Sequence, residues 1–342
     1  MDIQNRRALR STASQALAAN PGSPRLLVTA YILVTAFSAL LVSALITILG
    51  NRIDNTGGLS DLGLRSILST AQTILPIAQA IVMLGIQLGY QNAALSMARR
   101  QAVGPRSLLE GFRFFGPLLR SVLLQGLLYL LLGICAMYAA SFIFMLTPLS
   151  GDFYALMEPL LTDPDALYEA MYNDAAFAAA AGKALLPFFP IFLAVFLAAT
   201  APFFYQYRMT SYCILDTPGK GAMAAMSESA RMMRGSRLDL LKLDLGFWWF
   251  YLGEALVALV LYGDLLLPMV GVTLPWSSTV SYYVFYVLSL VLEGGLFFAC
   301  LNRVETTYAT AYEALRPKPE PTQGAVLGNI FDLAREYYDE NK

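Results

Sequence analysis

Four stretches of this chain, 26–51, 66–98, 121–151 and 184–207, contain no Lys, Arg, Asp or Glu. Each exceeds the roughly 20 apolar residues that cross about 30 Å of hydrocarbon as a helix, so each predicts a membrane span. The apolar sequence that follows is interrupted by Asp244, Glu254, Asp264 and Glu293. It predicts a fifth span near 243–266 and a sixth near 277–301. With 57% hydrophobic and 14% charged residues and a mean hydropathy of +0.56, a soluble domain would be left covered in apolar surface. The sequence therefore predicts an all-α membrane protein with six transmembrane helices.

Basic residues are held on the cytoplasmic side of spans. Here they gather in the N-terminal segment, the second and fourth connections and the tail, and only Arg52, Arg65 and Lys183 of the 23 fall on the other side. Both termini are expected to be cytoplasmic. The first span is too long for the apolar part of a cleavable signal peptide, which runs about 7 to 15 residues. Cys135, Cys213 and Cys300 lie in or beside spans and predict packing residues rather than disulfides.

The basic segments share a pattern. Leu9, Ala13, Ala16 and Leu17 lie on one helical face ahead of the first span, with Asn20-Pro21-Gly22 as the breaker. Leu108, Leu109, Phe112 and Phe115 precede the third span, with Gly116-Pro117 as the breaker and Ser107 with Glu110 as a capping box. Ala222, Met223, Met226, Ala230 and Met233 precede the fifth, after a turn at Pro218-Gly219 and before a breaker at Gly235. The returning spans end alike in Tyr90-Gln91-Asn92, Tyr205-Gln206-Tyr207 and Leu301-Asn302-Arg303. This predicts one six-span domain, 1–316, made of three similar units near 6–98, 105–213 and 219–315. Each unit would be an amphipathic in-plane cytoplasmic helix, lying in the membrane interface, followed by a two-helix hairpin. Residues 317–342 are read as a cytoplasmic tail with a short helix carrying Ile330, Phe331, Ala334 and Tyr338. The acidic outer segment, with a helix start at Asp163-Pro164, is read as a solvated loop.

The chain has no histidine, no Gly-rich phosphate loop and no Cys pair at metal spacing. The commonest general base and metal ligand is thus missing, and no catalytic residue, metal or cofactor is expected. The basic residues follow topology, so no nucleic-acid role is expected. Glu254 and Glu293 are the polar candidates, because an ionisable residue inside a span normally faces protein or water. Counting helical rise from Asp244 and Arg303 places them at similar depth, where they could form a relay or seal a helix contact. Gln72, Gln79, Gln87 and Gln91 are read as one polar face of the second span, and Thr35, Ala39, Ser43 and Thr47 as a small-residue packing stripe. Pro187, Pro190 and Pro202 predict kinks in the fourth span.

Tyr205, Tyr207, Tyr212, Asp216, Pro218, Ser229, Gly235 and Asp244, in their order and spacing, resemble the bacterial family termed domain of unknown function 975. Gly111-Phe112-Arg113-Phe114 and the run from Thr306 to Tyr312 extend the resemblance. Ser211 stands where that family often has proline, and Phe203 where it usually has glycine. The resemblance implies a multi-span protein of the bacterial cytoplasmic membrane, distantly similar to the membrane domain attached to some glycerophosphodiester phosphodiesterases. It implies no catalytic residues. The expected function is a non-enzymatic component handling membrane lipid or a small solute between the units. The alternative is a scaffold that binds a protein partner through its cytoplasmic helices or tail, and an intramembrane enzyme is the weakest reading.

Overall fold

The computed structural model describes residues 5–54, 62–158, 175–217, 219–269, 275 and 277–316, and among them every regular element is helical. α1 (Arg6–Ala18) precedes α2 (Pro24–Asp54), which pairs with α3 (Leu62–Ala98) as a first hairpin. A single turn, α4 (Ser107–Glu110), and a 3-10 segment, Gly111–Phe114, lead into α5 (Phe115–Leu146). After α6 (Gly151–Met157) and α7 (Ala175–Leu185), α8 (Phe188–Tyr207) packs along α5 as a second hairpin. α9 (Thr210–Asp216) and α10 (Ala222–Met232) precede α11 (Arg237–Leu245) and α12 (Trp248–Leu261). α13 (Gly263–Met269) then leads to α14 (Ser278–Leu315), which packs on α12, α2 and α3.

Five of these segments are long and apolar enough to cross a membrane: α2, α3, α4 with α5, α8 with α9, and α14. α11 and α12 pass that test only together, and they are bent by 65°. The expected fifth span is therefore not one straight helix. The bend lies at Gly246, where an added Cβ would fall 1.3 Å from Arg10 Nη2. Arg10 from α1 fills that space, its guanidinium carbon 4.6 Å from the centroid of the Phe247 ring. α14 runs fourteen residues past the expected end of the sixth span, Leu301.

Four local expectations change. Gly116-Pro117 does not break the chain, because α5 starts at Phe115 and continues through both residues. A proline in the first turn loses no intrahelical bond, and Gly116 lacks the Cβ that would clash with the Pro117 ring. Ser107 and Glu110 form no capping box: Arg106 is the N-cap without a side-chain bond, and Glu110 Oε2 accepts from Asn92 Nδ2 at 2.9 Å. Leu109 and Phe112 are exposed beside buried Leu108, since one α turn followed by a 3-10 turn does not keep a 3.6-residue face. Pro187 is the N-cap of α8 and separates it from α7, whereas α8 runs on through Pro202. The helix start at Asp163-Pro164, Pro218 and the tail helix lie outside the described residues.

The apolar faces of α1 and α10 are spent on protein. Leu9, Ala13 and Ala16 of α1 are buried where it packs on α14 and α3. Ala222, Ala225, Met226, Ser229 and Met232 of α10 are buried where it meets α9, α5 and α8, while Met223 points outward. Together with the far end of α14 these helices place the buried core at the Arg-rich end of the bundle. The other halves of the hairpins keep leucines and phenylalanines such as Leu33, Phe37, Leu130 and Phe142 exposed, as a lipid-facing surface would.

The ends of the returning helices are cross-linked in sequence. Asn92 of α3 bonds Glu110 ahead of α5, and Gln206 of α8 accepts Arg237 Nη2 through Oε1 at 2.7 Å and Ser229 Oγ through its carbonyl at 3.0 Å. Asn302 of α14 donates to the Pro24 carbonyl at 2.9 Å and accepts Tyr90 Oη at 2.5 Å. Each returning helix thus holds the start of another hairpin, and the last holds the first.

Candidate functional site

The family-like residues gather at the Arg-rich end into two polar clusters. In the first, the bend between α11 and α12 turns Asp244 inward, where it is 9% exposed. Its Oδ2 accepts Tyr205 Oη at 2.9 Å and its Oδ1 accepts Tyr308 Oη at 2.5 Å, while Tyr251 and Tyr308 share a hydroxyl contact of 2.6 Å. Ser229 accepts the Met209 N–H at 3.2 Å and so fixes the junction of α8 and α9. Gly235 adopts a φ of +91°, a left-handed conformation that glycine takes without strain.

In the second cluster Asp216 joins three helix ends. Arg99 Nη2 lies 2.6 Å from Asp216 Oδ1, Arg316 Nε lies 3.0 Å from Oδ2, and Tyr312 Oη donates to Oδ2 at 3.1 Å. Arg99 also donates from Nε to Glu313 Oε1 at 2.7 Å. Burial by itself lowers the Arg99 pKa, but the bonds to Asp216 and Glu313 outweigh it and hold it above the usual arginine value. This cluster is a structural clamp.

Beside Tyr308 of the first cluster opens a cleft of about 340 Å³, walled by α3, α5, the end of α8, α9 and the Arg-rich end of α14. That volume lies in the roughly 300–1,000 Å³ range of small-molecule sites. Ser121, Gln125 and Tyr129 enter it from α5, and Gln87 and Gln91 from α3. Arg208 supplies a cation at its head. The guanidinium carbon sits 4.8 Å from the Phe204 ring centroid and 4.7 Å from that of Tyr308, so the cation rests over two aromatic rings. Among the described residues no carboxylate lies within 4.0 Å of its nitrogens. Thr210, 2% exposed, also lines the cleft, and its Oγ1 has no hydrogen-bond partner. Tyr207 lines the cleft beside Arg208.

The two intramembrane glutamates fall elsewhere, and the intramembrane candidates do not share one site. Glu293 lines a smaller cavity of about 190 Å³ with Thr35, Ala39 and Gln79. Glu254 on α12 does not line that cavity, although it lies close enough to Glu293 for their charges to interact. Its Oε1 is buried without a partner. The glutamines divide as well. Gln72 approaches Gly50 of α2 and Gln79 donates to Ser38 Oγ at 3.4 Å, whereas Gln87 and Gln91 face the larger cleft. At 100° per residue, eight positions from Gln79 to Gln87 rotate the side chain by about 80°, so the expected single face does not exist. The small-residue stripe does face a helix: Thr47 contacts Tyr283 of α14 through its hydroxyl.

Sequence reasoning missed the cleft's principal residues. Arg208 reads as one more basic residue of a connection, Glu305 draws no attention, and Tyr308 stands only within the family-like run from Thr306 to Tyr312. One signal was available: Ser121, Gln125 and Tyr129 recur every fourth residue in an otherwise apolar helix, which places three polar groups on one face.

These features define an all-α multi-pass membrane protein whose polar groups converge at the Arg-rich end of its spans. The chain belongs to the family described as Protein of unknown function (DUF975), which matches it over residues 1–316. No curated protein and no solved structure matches it.

Proposed function

We propose that this chain is a non-enzymatic component of the bacterial cytoplasmic membrane that handles a lipid or small solute inside its bundle. The Arg-rich end faces the cytoplasm, following the sidedness of basic residues, and both termini lie there. The observation that carries this reading is the 340 Å³ cleft with an arginine that has no acidic partner among the described residues and an unbonded threonine hydroxyl in its wall. In a membrane-type bundle such polar groups are costly unless they serve a ligand or a water path. The successive bonds from each returning helix to the start of another hairpin support three related units, with residues of all three lining the cleft.

Native mass spectrometry of the gently extracted full chain tests this. Wild type is expected to carry a stoichiometric small-molecule adduct, and Gln125→Trp, which fills the cleft, is expected to lose it at unchanged melting temperature. An adduct-free wild type, or equal retention by the variant, would overturn the reading.

A scaffold role has one specific observation in its favour. The Asp216 clamp ties Glu313 and Arg316, the last described residues of α14 and its cap, to the basic face. A protein partner captured through residues 317–342 with the cleft unoccupied would favour it.

A further inference from the structure

Arg208 has a counterpart in the same cleft. Glu305, on the stretch of α14 beyond Arg303, also lines it, and Tyr212 Oη donates to Glu305 Oε2 at 3.3 Å. Among the described residues no cation lies within 4.0 Å of the Glu305 carboxylate, just as no carboxylate lies that close to Arg208. The two charges sense each other across the cleft without touching. A packed protein would be expected to close such a pair into a salt bridge or leave it out. Here each is held back by aromatic groups: Phe204 and Tyr308 stack on the guanidinium, and Tyr212 bonds the carboxylate.

With two aromatic rings against the guanidinium and no carboxylate within 4.0 Å among the described residues, its N–H groups can donate to an anion in the paired geometry that arginine makes with phosphate. The Thr210 hydroxyl is a further donor in the same wall. Next to these polar groups Leu84, Leu88, Leu118 and Val122 give the cleft an apolar side on α3 and α5. A ligand that satisfies all of this carries a negative and a positive group on one short polar head and an apolar body.

We propose that the cleft takes a zwitterionic aminophospholipid headgroup, with the phosphate on Arg208 and Thr210 and the ammonium on Glu305. This rests on the reading of the cleft as a binding site. The shared chemistry is phosphoethanolamine, which a membrane lipid or a water-soluble phosphodiester could present. The apolar wall points to the lipid.

The test uses the full chain in nanodiscs of equal phosphatidylethanolamine and phosphatidylglycerol, and native mass spectrometry reads the lipids it keeps on release. Wild type is expected to keep the ethanolamine lipid in preference. Arg208→Gln is expected to lower retention of both lipids roughly tenfold, the effect of losing a charge-assisted bond to phosphate, and Arg208→Lys to restore part of it. Glu305→Gln is expected to abolish the preference while total retention stays. Displacement of the lipid by glycerophosphoethanolamine would support the headgroup assignment and show that the headgroup suffices without its chains. Lipid retained in unchanged amount by Arg208→Gln, or in an unchanged ratio by Glu305→Gln, at wild-type melting temperature, would overturn the assignment while leaving the cleft reading intact. Equal retention by Gln125→Trp would instead overturn the cleft reading. Should Arg208→Gln fail to fold, the lipid ratio of Glu305→Gln alone decides.

Discussion

The Tyr308 ring lies 4.7 Å from the Arg208 guanidinium carbon, while its hydroxyl donates to Asp244 Oδ1 at 2.5 Å. The side chain that stacks on the cation is thus oriented by a carboxylate at the bend between α11 and α12. Arg208 is positioned by a helix break more than thirty residues away in sequence.

Asp244→Ala should leave the Tyr205 and Tyr308 hydroxyls without their acceptor. Bonds to a charged group contribute about 1.5–3 kcal/mol each, and partial rehydration returns some of that, so a loss of roughly 3 kcal/mol is expected. Asp244→Asn keeps an acceptor for one or both hydroxyls and should lose about half as much. Thermal unfolding in detergent compares the two variants, and equal melting would contradict the arrangement.

Removing the Asp216 clamp should cost less. Its arginines are partly exposed, 29% for Arg99 and 41% for Arg316, so solvent screens them, and Asp216→Ala is expected to cost about 1–2 kcal/mol. Because the folded-state pKa of Arg99 is raised, its contribution is complete below the usual arginine value and is lost only as pH rises beyond it. Stability should therefore show no Arg99-dependent change across the neutral range. Added salt should narrow the gap between wild type and Asp216→Ala.

The buried, unpartnered Oε1 of Glu254 predicts the opposite sign. Glu254→Leu removes a polar group that gains nothing from its surroundings and should raise stability by about 1 kcal/mol. Lipid retention should not change, because Glu254 does not line the Arg208 cleft. A drop in melting temperature would reveal a partner that the geometry does not contain.

Gly235, at a φ of +91°, should resist substitution: Gly235→Ala is expected to cost roughly 1–2 kcal/mol. Gly126 lies inside α5 with open space around an added Cβ, so Gly126→Ala should gain about 0.5–1 kcal/mol. Paired thermal melts of these two variants separate backbone strain from general sensitivity of the bundle.

These contrasts mark what could be read along the chain and what could not. Uncharged runs located α2 and α3 to within a few residues of their ends, because hydrocarbon thickness acts on contiguous sequence. The bend at Gly246 was hidden, because the side chain packed into it is Arg10, from the opposite end of the chain. Asp244 and Tyr205 could be singled out by family resemblance, but their bond is a consequence of that bend. Glu254 and Glu293 drew attention as charges in apolar sequence, and only Glu293 lines the small cavity, with Glu254 near it but outside. Arg208 and Glu305 looked ordinary because an arginine and a glutamate near span ends are common. Only the meeting of α3, α5, α9 and α14 reveals that neither has an ionic partner among the described residues.

The most direct measurement is photocrosslinking with a phosphatidylethanolamine that carries a diazirine near its glycerol, followed by peptide mapping of the full chain in nanodiscs. The account predicts adducts on α3 between Leu84 and Gln91 and on α5 between Leu118 and Tyr129, and their loss in Gln125→Trp. Adducts confined to the outward leucines of the hairpins, unchanged in that variant, would contradict it.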